Sequence, residues 1–111
     1  MRTQMMADDE RRRIIRKRVE CWSQRLGIRP RLIRVQQMTR KWGSCSTSGI
    51  ITLAIDLAEQ EPGFQDFVIV HELLHLRIPN HGKLFKALMS VYVPAWKEHN
   101  MKGRSVSRKG I

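Results

Sequence analysis

Apolar residues recur at three- and four-residue spacing between Met5 and Leu26. Ile14, Ile15, Val19, Trp22 and Leu26 form one stripe, and Arg11, Arg12, Arg13, Arg16, Lys17 and Arg18 crowd the other faces. That period predicts an amphipathic helix, stopped by Gly27 and broken at Pro30. From Leu32 to Met38 the pattern changes to partial alternation, with Ile33 and Val35 on one side, which predicts a strand. The run Trp42-Gly43-Ser44-Cys45-Ser46-Thr47-Ser48-Gly49 reads as a turn-rich loop leading into a second strand at Ile50 to Ile55, so the two strands are expected to pair as a hairpin. Glu61-Pro62-Gly63 punctuates the chain, and a helix should start just beyond it. That helix should end at Pro79, because the residue before a proline is pushed out of the helical region. Asn80 is placed to cap a further helix through about Val91. Pro94 breaks or restarts that helix, and from Ser105 onward the chain reads as a frayed basic tail. The order helix, hairpin, helix, helix predicts a small α+β domain.

Within the second helix, Phe67-Val68-Ile69-Val70-His71-Glu72-Leu73-Leu74-His75-Leu76 contains three polar residues in ten, and those three spell His-Glu-x-x-His. A helix apolar nearly all round is a buried one. His71 and His75, four apart, therefore stack on one face and point inward together. Burying them and Glu72 without partners would cost roughly 1–3 kcal/mol for each unsatisfied group. A metal ion removes that penalty. Two neutral imidazoles one turn apart can both reach a zinc at about 2.0–2.1 Å, and Glu72 can lean toward a water on the open side. Catalytic zinc usually has three protein ligands, and His81, beyond the Pro79 break, is the best candidate for the third. His99, Glu98, Asp56, Glu59 and Cys45 are weaker alternatives.

Composition narrows the class without deciding the function. The chain has 111 residues, 41% hydrophobic and 28% charged, which fits one small globular domain. No apolar run approaches a membrane span, the first ten residues carry no secretory apolar stretch, and two cysteines, Cys21 and Cys45, make no disulfide framework, so a cytoplasmic setting is expected. The net charge of +11 is unevenly placed: residues 1–40 contribute +8, residues 41–100 contribute −1, and residues 101–111 contribute +4. These basic N- and C-terminal arms could track nucleic acid phosphates or serve solubility alone.

The run from His71 to Leu76, followed by Asn80-His81 and Phe85, together with the upstream Trp42-Gly43-Ser44-Cys45-Ser46, resembles the YgjP-like metallopeptidase domain over about residues 32–98. More distantly the chain is similar to the SprT-like proteases, which act on proteins bound to DNA. The resemblance implies a zincin-like domain with an N-terminal helix, a hairpin or small antiparallel sheet, a buried active-site helix and a C-terminal helix. It divides the chain into a basic helical segment (1–31), a catalytic core (32–98) and a basic tail (99–111). It also implies His71, His75 and His81 as metal ligands, Glu72 as the catalytic base and a peptide or protein substrate. Two departures stand out. Lys86 occupies a position where that family commonly has an aromatic residue, and full-length members carry an N-terminal β-rich part that one basic helix replaces here. The metzincin pattern is excluded by Ile78, where it requires glycine.

As a hydrolase, the chain would use zinc to polarise the scissile carbonyl and Glu72 to take a proton from water. Tyr92, Trp42 and Gly43 are candidates for oxyanion or substrate contacts, and an exposed strand edge could receive an extended peptide. Three other readings compete: a nucleic-acid-associated module, a structural zinc, and a nucleotide-pyrophosphate hydrolase, an activity also assigned within the resembling family. For the last there is no Gly-rich phosphate loop.

Overall fold

The computed structural model describes residues 6–105. Helix α1 runs Asp8–Leu26. Strands β1 (Leu32–Gln36), β2 (Gly43–Cys45) and β3 (Ile50–Ala54) follow, and a short 3-10 turn spans Ile55–Glu59. Helices α2 (Pro62–His75), α3 (Lys83–Tyr92) and α4 (Trp96–Ser105) complete an α+β domain. Met5, the expected helix start, and residues 106–111 of the expected tail lie outside the described residues, whereas residues 99–105, also expected as tail, belong to α4.

The stripe expected on α1 is the face it buries. Ile15, Val19 and Trp22 are in the core, with Ile14 and Leu26 partly buried against it. Asp8, Asp9 and Glu10 in its first turn and Arg25 in its last suit the helix dipole. Gly27 ends it at φ 70°, where a side chain would be strained. The basic face is anchored at two points. Arg11, itself buried, binds Glu59 at 2.7 Å, and Asp66 accepts hydrogen bonds from both Arg18 Nε and Trp22 Nε1 at 2.7 Å.

The sheet corrects the expected hairpin. Its order is β1-β3-β2, with β1 parallel to β3 and β2 antiparallel to β3. A hairpin needs a tight connection, and residues 37–49 are too many for one. The tight turn lies later, where Ser46 N–H donates to Ile50 O at 2.9 Å and Gly49 adopts φ 92°. The hairpin is therefore β2–β3, built from residues whose composition reads as loop, and the expected antiparallel sheet is a mixed one. β2 lies at the sheet edge, with Gly43 opposite Leu53 and Cys45 opposite Ile51.

Helix α2 is the centre of the core: Phe64, Phe67, Val68, Ile69, Val70, Leu73 and Leu74 are all buried. It stops at His75, short of Pro79. Leu76 and Arg77 turn tightly onto the carbonyls of Leu73 and Leu74, and Ile78 N–H donates to Leu74 O at 2.8 Å. Asn80 is not the cap of α3, which begins after Gly82. Its side chain instead accepts the Gly82 N–H at 3.0 Å, shaping the turn before the helix.

Candidate metal centre

Helix α2 delivers two histidines from its last turns. His71 is only 5% exposed, Glu72 beside it 3%, and His75 is half-buried at the helix end. The turn through Ile78 and Pro79 brings His81, on an exposed loop, back over the same spot. One ring nitrogen from each of His71, His75 and His81 lies within 4.8 Å of the others, the one such cluster of potential ligands among the described residues. Phe85 on α3 lies against all three rings, stacked on His75 at 4.7 Å and 5.1 and 4.9 Å from His71 and His81.

The hydrogen bonding of this cluster fits a cation. Neither ring nitrogen of buried His71 has a hydrogen-bond partner, and Glu72 Oε2 lies 3.3 Å from Nδ1. Orphaned nitrogens at this depth are costly unless something binds them. His75 Nδ1 lies 3.0 Å from the Ile78 carbonyl. That carbonyl can only accept, so Nδ1 carries the proton and Nε2 keeps its lone pair. That Nε2 sits 2.8 Å from His81 Nε2, close enough to accept a hydrogen bond from it or to share a cation with it. Burial, and then the neighbouring His71, lower the pKa of His75; the Ile78 carbonyl and Glu72 oppose this without reversing it. Burial and the His71 and His75 rings likewise lower His81, with Lys86 adding to the effect. Neutral imidazoles are the form that binds metal.

The other expected ligands lie elsewhere. Glu59 is paired with Arg11, and Asp56 lines a cavity beside Arg11 and Arg12. His99 stacks on Phe67 at 6.0 Å, and Glu98 is on the exposed side of α4. Cys45 lines the cleft above the histidines, where burial and the Glu72 carboxylate push its thiol up, away from nucleophilic use.

That cleft, about 420 Å³, is walled on one side by β2 and its loop and floored by His71, Glu72 and His75. Of the three expected substrate contacts, only Gly43 lines it. Trp42 is turned into the core, 3% exposed with its ring edge-on to Phe64 at 5.2 Å. Tyr92 packs edge-on to Trp22 at 6.2 Å and lines neither cavity that reaches the histidines, so its expected oxyanion role is withdrawn. Sequence reasoning missed Phe85 as the platform under the rings. The signal was present, four residues after His81 on a helix, but one aromatic residue does not reveal which face it covers.

The family description "YgjP-like, metallopeptidase domain" matches residues 2–102. The chain belongs to this family. It is thus a metal-dependent hydrolase of a peptidase class, whose substrates are proteins or peptides. No curated protein matches the chain. Two solved structures share its fold. The metallopeptidase zymogen abylysin of Pyrococcus abyssi has 18% identity and a TM-score of 0.70, covering 87% of this chain and 99% of its own. The metallopeptidase zymogen jannalysin of Methanocaldococcus jannaschii has 25% identity and a TM-score of 0.68, covering 79% and 91%. In this YgjP-like domain no helix among the described residues is long and apolar enough to cross a membrane.

Proposed function

We propose that the domain is a zinc metallopeptidase in which His71, His75 and His81 hold the ion and Glu72 is the general base. The observation that carries this reading is the convergence of three imidazoles, with both nitrogens of the buried His71 orphaned and one buried carboxylate beside them. Zinc bound there supplies Lewis acidity, polarising a carbonyl and acidifying water. Three imidazoles suit it among common divalent ions. Glu72 accepts a proton from water and later passes it to the leaving amine. Its carboxylate is positioned for this because its stem is wedged between α2 and β2, close against Gly43. β2, at the sheet edge along the cleft, offers main-chain groups to an extended peptide. Residues 1–111 are read as one domain, with α1 of the basic N-terminal segment contributing Ile15, Val19 and Trp22 to the shared core.

The test is elemental analysis of the wild type and His81→Ala, with peptide cleavage by wild type and Glu72→Gln. One zinc per chain, weakened in His81→Ala, and cleavage lost in a zinc-replete Glu72→Gln are expected. A wild type that takes up no zinc, or a Glu72→Gln variant as active as wild type, refutes the assignment.

A second reading concerns docking. Arg13, Arg16 and Lys17 lie exposed on α1, away from the cleft, and suit nucleic acid phosphates. Binding that persists in Glu72→Gln and weakens steeply with salt is expected; salt-insensitive or absent binding rejects it.

A further inference from the structure

Two cavities meet at the histidine cluster, and His71 lines both. The second, of about 260 Å³, reaches His71 and His81 from between α2, α3 and α4. Phe67, Phe85 and Trp96 wall it. The indole N–H of Trp96 donates to Ser90 Oγ at 3.0 Å, so the polar end of that side chain is occupied. One formal charge lines this cavity, Lys86, and among the described residues no carboxylate pairs with it. Lys86 and His81 line this same cavity, which places the ammonium on the side of the metal centre. Asn100 also lines the cavity, and its Oδ1 is buried without a hydrogen-bond partner. On the cleft side Lys41 is again the lining cation, and Glu72 is the sole carboxylate lining either cavity.

A ligand matching these walls has an apolar stem, a negative end and an N–H. The stem packs between aromatic rings, the negative end pairs with Lys86, and a peptide N–H entering with it is the donor that Asn100 Oδ1 lacks. An acidic residue of a peptide has all three. A basic side chain would meet Lys86 and the metal centre with like charge, and a purely apolar one would leave the ammonium unpaired. We propose that this cavity is the specificity pocket of the enzyme, that it takes a glutamate or aspartate side chain flanking the scissile bond, and that Lys86 is the specificity-determining residue. This rests on the peptidase reading of the histidine cluster.

The experiment uses peptides matched except for Glu, Gln or Lys at each position flanking the cleaved bond. Cleavage by the zinc-loaded wild type, Lys86→Met and Lys86→Glu is measured as kcat/KM. Binding of the same peptides to zinc-loaded Glu72→Gln, with and without Lys86→Met, is followed by tryptophan fluorescence, since Trp96 is part of the wall. Lys86 is exposed, so its replacement leaves the core intact. The expected result is a Glu-over-Gln preference of roughly tenfold at one flanking position, equivalent to about 1.4 kcal/mol. It should fall to near one in Lys86→Met and turn toward Lys in Lys86→Glu. Cleavage without a Glu preference, or a preference untouched by Lys86→Met, overturns the pocket and leaves the peptidase reading standing. No cleavage with Lys86-dependent binding of the Glu peptide overturns the peptidase reading and leaves the pocket. Neither cleavage nor binding overturns both.

Discussion

Gly43 on β2 packs closely against helix α2, and an added methyl there has a calculable effect. A Cβ would lie 3.1 Å from Glu72 Cγ, 3.1 Å from Leu53 Cδ2 and 3.3 Å from Val68 Cγ1. Carbon atoms prefer about 3.5–4.0 Å, so relief requires a displacement of roughly 0.5 Å. Little nearby can move. Leu53 and Val68 are fully buried, and β2 is pinned where Ala54 N–H donates to Trp42 O at 2.9 Å. Overpacking of this kind costs about 1–3 kcal/mol. At about 4 °C per kcal/mol for a domain of this size, Gly43→Ala should lower Tm by roughly 4–12 °C.

The functional effect should exceed what stability explains. Glu72 Cγ carries the carboxylate proposed to take the proton, and a reacting group has to be held within about 0.5 Å of its productive position. A shift of that order should reduce kcat/KM by roughly 10- to 100-fold at a temperature where the variant is fully folded. Zinc content should remain at one per chain, because the three atoms nearest the added methyl belong to Glu72, Leu53 and Val68 rather than to a histidine. Calorimetry, peptide cleavage and elemental analysis measure the three quantities separately. Unchanged Tm and cleavage would refute the close-packing argument, and loss of zinc with Tm unchanged would refute the route through Glu72.

Acidification should destabilise the metal-free protein. Folding lowers the pKa of His75 and His81 from their ordinary 6.5, so their contribution is complete above 6.5 and is lost as pH falls through the lowered folded-state values. Urea midpoints should therefore fall below that pH, and a double His75→Ala/His81→Ala variant should flatten the curve; a flat wild-type curve contradicts the sign. Asp66→Ala strands the Trp22 indole N–H and Arg18, at a cost of about 1–3 kcal/mol by chemical denaturation. A variant as stable as wild type would show that this anchor contributes nothing. Phe85→Ala removes a buried ring from beneath three imidazoles, costing about 3–5 kcal/mol without metal and more with zinc, because a variant that holds the ion less tightly gains less from binding it. Equal losses with and without zinc would mean that the ring does not help to hold the ion.

Much of the candidate site was legible because one helix carries its own evidence. Three polar residues on an otherwise apolar helix had to share a purpose, and spacing alone put His71 and His75 together. The stripe of Ile15, Val19 and Trp22 was equally readable, since helical period and burial coincide there. The sheet was not. Gly43, Ser44 and Cys45 are turn formers by composition, and they become a strand because β3 offers them a partner; that pairing is tertiary information. Tyr92 shows a similar limit, because a tyrosine on a late helix can face the site or the first helix, and Trp22 takes it. The α3–α4 cavity has walls from separate elements far apart in sequence, so no local pattern announces it.

His81 is the proposed ligand whose placement depends most on backbone chemistry, because it stands on an exposed loop while its partners sit on a packed helix. Its position is nevertheless set by the chain. Pro79 pushes Ile78 out of the helical region, and the Ile78 carbonyl then accepts from His75 Nδ1 at 3.0 Å. The turn is completed by Asn80 Oδ1 accepting from the Gly82 N–H, just before α3 supplies Phe85 beneath the rings. The same Ile78 carbonyl thus shapes the route to the third histidine and orients the second. Proline at 79 acts on the metal centre through the residue before it, and the six-residue step from His75 to His81 can serve one ion because that turn is built by the chain's own hydrogen bonds.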